Sequence, residues 1–146
     1  MASEDFVSYS IMTALRDADW DIFHYHPPGG QAAWGIYVVG KLIYLDILAY
    51  KNSNVLLAEN KGKFSNQDIN KLRMILLDKS AQNQLQSFVR AQCTRLGLPC
   101  VKQLRFSLAH GYSGKLRASL EDINLIHVSE EGDLTVTVSR LNPLII

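Results

Sequence analysis

The sequence predicts one α/β domain: a mixed sheet covered by helices, followed by a C-terminal β-hairpin. Three observations predict it. Between Lys41 and Phe64 two apolar runs flank a polar turn, and their nearly unbroken apolar character suits strands covered on both faces. Helical stripes lie on either side of this stretch, before residue 16 and after residue 65. A further apolar run after Pro99 is reached through that second helical region, and such a crossover returns a strand parallel to its predecessor. With 146 residues, 47% of them hydrophobic, residues 1–146 make a single domain with a real core.

Ser3 is a fitting N-cap, with Glu4 and Asp5 in the first turn where the helix dipole favours acids. Phe6, Val7, Ile11, Met12 and Leu15 then form a helical stripe. Trp20 to His26 reads as a strand, stopped by Pro27-Pro28-Gly29-Gly30. Gln31 to Val39 reads as an extra strand or a covering loop. Lys41 to Tyr50 and Val55 to Phe64 are the arms of a hairpin turning at Asn52-Ser53. Ser65 and Asp68 resemble a capping box, and Ile69, Leu72, Ile75 and Leu76 give the next helix its buried side. The pattern restarts near Lys79 and continues through Leu85, Val89, Cys93 and Leu96 to Gly97, as one bent helix or two. Val101 to Leu108 reads as a strand, His110 to Lys115 as a polar loop, and Ile123 to Ser139 as a second hairpin.

The first hairpin carries the chemistry. A two-residue turn at Asn52-Ser53 sets Lys51 opposite Asn54 and, counting back, Asp46 opposite Glu59. Opposed residues on one face have Cβ atoms roughly 4.5–5.5 Å apart, so two carboxylates there can touch one cation. Alternation puts Lys61 on the face of Glu59 and turns Asn60 away. Two carboxylates so close need a proton, a cation or a lysine to be tolerated. Hard oxygen ligands on an open site suit Mg²⁺ or Mn²⁺, the chemistry of phosphodiester hydrolysis.

Asp46, twelve intervening residues, then Glu59-Asn60-Lys61 resembles the D…ExK signature of the PD-(D/E)xK, or restriction-endonuclease-like, nuclease superfamily. The resemblance covers about residues 5–108 and implies an αβββαβ core, with residues of about 119–146 as a hairpin extension. It implies metal binding by Asp46, by Glu59 and by the backbone carbonyl of Asn60, with Lys61 orienting or activating the attacking water. Gln67 and Lys71, on the following helix, are implied candidates for contacting phosphate or supporting the site. Leu45 stands where the signature has proline, and no acid of the first helix is clearly placed to join the site.

Charge is uneven. Residues 1–40 carry −4, residues 41–117 carry +9 and residues 118–146 carry −4, for a net +1. A basic middle containing the acidic motif suits an enzyme acting on nucleic acid. Lys63 and Lys115 are further candidates for substrate phosphates. No sequence-reading module is visible, so DNA or RNA structure rather than sequence is the expected target. The expected activity is that of a Mg-dependent endonuclease or exonuclease. The alternative from another class is a non-catalytic regulatory or protein-interaction module that retains the fold. His24 and His26 share a strand face without an evident third ligand, and read as half-buried strand histidines. Cys93 and Cys100 match no metal spacing and read as reduced packing residues. The acidic N-terminus and the lack of an 18-residue apolar run predict a cytoplasmic protein. The apolar tail, Leu141 to Ile146, must cover its own domain or a second copy, which leaves a homodimer open.

Overall fold

The computed structural model describes residues 2–26, 34–99 and 103–146. Helix α1 (Glu4–Asp17) begins at Ser3, whose hydroxyl accepts the Phe6 N–H at 3.2 Å. It buries Val7, Ile11, Met12 and Leu15, spaced to lie along one side. Strand β1 (Asp21–Tyr25) follows. Next comes a separate two-stranded ribbon, β2 (Gly35–Val38) and β3 (Lys41–Tyr44), then β4 (Ile47–Lys51), β5 (Asn54–Lys63), helices α2 (Asn66–Leu77) and α3 (Lys79–Leu96), and strands β6 (Arg105–Ser113), β7 (Asn124–Val128) and β8 (Leu134–Thr137).

The main sheet has the order β1-β4-β5-β6-β7-β8 and is mixed. β1, β4 and β5 run antiparallel, β5-β6 and β6-β7 are parallel, and β8 returns antiparallel to β7. One face packs Val7, Ile11 and Leu15 of α1 on Ile47, Ala49, Leu56, Ala58 and Ala109. The other packs Ile69, Leu72, Leu85 and Val89 of α2 and α3 on Leu48, Val55, Leu57 and Leu108. Burial on both faces is why β4 and β5 lack polar alternation. Among the described residues, no helix is long and apolar enough to cross a membrane.

The expected hairpin register holds. Lys51 pairs with Asn54, Tyr50 with Val55 and Ile47 with Ala58. Asn52 and Ser53 both have positive φ, 48° and 71°, the twist that a two-residue hairpin turn demands. The first arm is shorter than the sequence suggested. Lys41–Tyr44 leave the main sheet to pair with β2 around a second positive-φ turn, Val39-Gly40, and the chain crosses between sheets at Leu45-Asp46. The helical region divides in two at Asp78, whose carboxylate caps α3 through the Ser80 and Ala81 N–H groups and also accepts the Val39 N–H at 2.8 Å. A Gln84 amide both accepts from the Tyr37 N–H and donates to the Tyr37 carbonyl, each at 2.9 Å, clamping the ribbon edge to α3.

The strand expected at Val101 to Leu108 runs instead from Arg105 to Ser113, and residues 101–102 lie outside the described region. His110 to Ser113, read as a polar loop, are buried within it, because β6 is held between β5 and β7 along that length. The tail covers its own domain in part: Leu144 is buried beside Trp20 and Ile47, while Leu141 and Ile145 are exposed. Cys93 is buried, while Cys100 and the Pro27-to-Gly30 stop lie outside the described residues.

Candidate metal centre at the carboxyl end of β5

The site forms where the parallel pair β5-β6 ends and α2 begins, the edge at which open α/β sheets present ligand-binding groups. Asp46 stands one residue before the β4 ladder, next in register to the Ile47-Ala58 pair and so opposite Glu59. Its Oδ2 accepts the Asn60 N–H at 2.8 Å, which fixes the carboxylate across the strand. In an extended strand one residue's N–H and C=O project to the same edge, so the Asn60 carbonyl points to the side of Asp46, beyond the end of β4.

Glu59 is 3% exposed. Its Oε2 accepts from Lys71 Nζ at 3.1 Å, while Oε1 is buried with no hydrogen-bond partner. Burial, reinforced by Asp46 and opposed by Lys71, pushes its carboxyl up to about 8. Burial also raises Asp46, against the Asn60 hydrogen bond. Lys71 is therefore the lysine that meets Glu59, a contact one turn into α2 makes and strand alternation does not reveal.

Lys61 turns to Glu4, 3.3 Å from Nζ to Oε1, so an acid of the first helix does join the group. The ladder between β5 and β6 is irregular between Asn60 and Lys63, which bends β5 toward the start of α1. Gly62 permits that approach, since a Cβ there would meet the Ala2 carbonyl at 2.9 Å. Burial alone would lower Lys61, but Asp68 and Glu4 outweigh it and raise it, so Lys61 remains an ammonium. Asp68 is raised by burial, against Lys61 and Lys71. Its Oδ2 is a second buried carboxylate oxygen without a partner.

Sequence reasoning missed Asp68 and His110 as members of this group, and it favoured a helix-capping role for Glu4 over a place in the site. Glu59 and His110 are cross-strand partners, which requires the parallel register of strands 51 residues apart. Lys63, Gln67 and Lys115 are exposed, and no hydrogen bond or ion pair among the described residues joins them to the group. His24 is half-buried, with its Nε2 donating to the Leu45 carbonyl at 3.0 Å, as a structural strand histidine would.

Four carboxylates, Glu4, Asp46, Glu59 and Asp68, face two ammonium groups, Lys61 and Lys71, a formal excess of −2 when all are ionised. Two orphaned buried carboxylate oxygens and a hard-oxygen donor set fit Mg²⁺ or Mn²⁺. Among the described residues no three His, Cys, Asp or Glu side chains are arranged to hold a metal by themselves. An ion here would keep waters or take substrate oxygens, the habit of Mg²⁺. No family model matches the sequence, and no curated protein does.

Proposed function

We propose that the protein is a metal-dependent nuclease built on a restriction-endonuclease-like core, formed by α1, β1, β4, β5, α2-α3 and β6, with β2-β3 inserted and β7-β8 appended. The observation that carries this reading is the Asp46-Glu59 pair, opposed across a hairpin with two lysines beside it and a buried Glu59 oxygen left unpartnered.

Asp46, Glu59 and the Asn60 carbonyl would hold Mg²⁺ or Mn²⁺. When bound, the ion polarises a phosphoryl oxygen and acidifies a water. Lys71 keeps Glu59 nearer its ionised, ligating form. Lys61, held as an ammonium, donates to the attacking water or to phosphate and does not act as a base. Lys63, Gln67 and Lys115, all exposed, would meet backbone phosphates. The substrate is DNA or RNA recognised by structure, and products end in 3′-hydroxyl and 5′-phosphate.

The test is cleavage of end-labelled linear, flapped and branched DNA and RNA with Mg²⁺ or Mn²⁺, comparing wild type with Asp46→Ala and Glu59→Ala. Cleavage by wild type that both variants lose is the expected result. Absence of cleavage on every substrate, with no metal binding by calorimetry, would sink the reading. A non-catalytic interaction module is the second reading, favoured by one observation: the Lys71-Glu59 ion pair already compensates part of the buried charge without a metal.

A further inference from the structure

The start of α2 departs from an ordinary helix cap in a way that concerns Asp68. In a reciprocal capping box, the acidic residue three positions after the N-cap serine accepts that serine's backbone N–H. Half of the box is present: the Ser65 hydroxyl accepts the Asp68 N–H at 3.2 Å. The other half has been taken by His110, because the Ser65 N–H donates to His110 Nε2 at 3.0 Å. The opposite ring nitrogen, Nδ1, donates to the Glu59 carbonyl at 2.9 Å. Both nitrogens of a fully buried imidazole are thus committed, which fixes a neutral Nδ1–H tautomer and removes His110 from proton transfer.

Displaced from its cap, the Asp68 side chain is 7% exposed, with Oδ2 unpartnered and 3.8 Å from His110 Nδ1. Glu59 Oε1 is unpartnered in the same charged group. A buried acceptor without a donor costs about 1–3 kcal/mol, and a charged one more. Lys61 and Lys71 influence Asp68, yet neither makes a hydrogen bond to it. What would serve both oxygens is a hydrated divalent cation, whose charge cancels the excess and whose waters donate to acceptors too distant for direct ligation.

We propose that Asp68 is a further anchoring carboxylate of the cation site, accepting from a metal-bound water, and that His110 is the positioning residue that keeps it out of the helix cap. This rests on the metal-dependent reading above. It adds an outer layer to that site, supplied by α2 and β6, on which the ion's affinity depends.

Calorimetric titration of Mn²⁺ and Mg²⁺ into the intact protein tests it, with Glu59→Gln, Asp68→Asn, His110→Asn and the double variant. Asp68→Asn preserves shape and the Ser65 cap, and should weaken Mn²⁺ about 10- to 100-fold. His110→Asn keeps a short amide near the Glu59 carbonyl but frees the Ser65 N–H to recapture Asp68, so it should weaken Mn²⁺ too. Because it acts through Asp68, the double variant should bind no more weakly than Asp68→Asn alone. A merely structural His110 would give additive losses and overturn its positioning role. Asp68→Asn binding Mn²⁺ within twofold of wild type, while Glu59→Gln loses it, would overturn the Asp68 assignment and leave the metal reading standing. No binding by wild type would remove both.

Discussion

Glu59 and Asn60 are adjacent on β5, equally buried, and face opposite sides of the sheet, yet the protein treats them differently. Asn60 lies under α1, where its amide donates to Ser8 at 3.1 Å and its oxygen packs against Gly111. Both groups are neutral and the helix seals them in. Glu59 lies under α2 beside three other carboxylates and two lysines, with one oxygen orphaned. The α1 side matches only the Asn60 amide nitrogen, to Ser8, and leaves its neutral oxygen without a hydrogen-bond partner, which costs little beside an unpaired charge. The α2 side leaves an excess of carboxylates over lysines beside a well-packed core, and the metal site proposed above rests on that excess.

The largest expected difference between the two sides comes from Glu59→Gln. It should lower Mn²⁺ affinity by at least about 100-fold, measured by calorimetry, because a neutral amide is a poor ligand for a hard divalent ion. A loss below about tenfold would put the ion elsewhere.

Acidity supplies the next test. Glu59 is protonated below about 8, so a metal must displace a proton, and affinity should rise up to about tenfold per pH unit until about pH 8. Proton release during titration checks this directly. Stability without metal has the opposite slope there. Because the folded value lies above the ordinary 4.5, the stability Glu59 contributes is full below about 4.5 and is lost as pH rises to about 8. His110, held down to about 4 by burial from an ordinary 6.5, contributes stability above 6.5 that is lost as pH falls toward 4. Chemical denaturation across pH should show the first loss vanish in Glu59→Gln and the second persist.

Gly111→Ala probes the α1 side. The new Cβ would strike the Asn60 amide and Ile11, costing about 1–3 kcal/mol in urea unfolding while leaving Mn²⁺ affinity within a fewfold. Equal damage to both properties would erase the distinction between the faces. Ser3→Ala is the mildest change: loss of the α1 cap should cost about 1 kcal/mol. Glu4, in the turn it loosens, pairs with Lys61 rather than with the proposed ligands, so metal affinity should barely move.

The hairpin at the centre was legible because its turn is written locally. Asn52 and Ser53 tolerate positive φ, and a two-residue loop then dictates each partner back to Asp46 and Glu59. The first helix and its cap were legible for the same reason. What escaped the sequence depended on contacts far apart along the chain. Nothing within β6 marks His110 as buried; its place follows from pairing with β5 on one edge and β7 on the other. Asp68 looked like half of a helix cap because the competitor for its hydrogen bond lies 45 residues beyond Ser65. Glu4 reaches Lys61 through an irregularity in β5 that strict alternation does not contain. Lys41–Tyr44 looked continuous with β4 because apolarity does not say which sheet a strand joins.

The amide of Gln84, seated on Tyr37, bears on how molecules of this protein meet one another. The ribbon β2-β3 is short and carries Tyr37, Leu42 and Tyr44 on its outside, a surface to which an extended segment of another chain would readily add. By engaging both backbone groups of Tyr37, the glutamine occupies the place such a segment would need. One side chain from α3 thus stands in for a missing strand along the β2 edge of the ribbon.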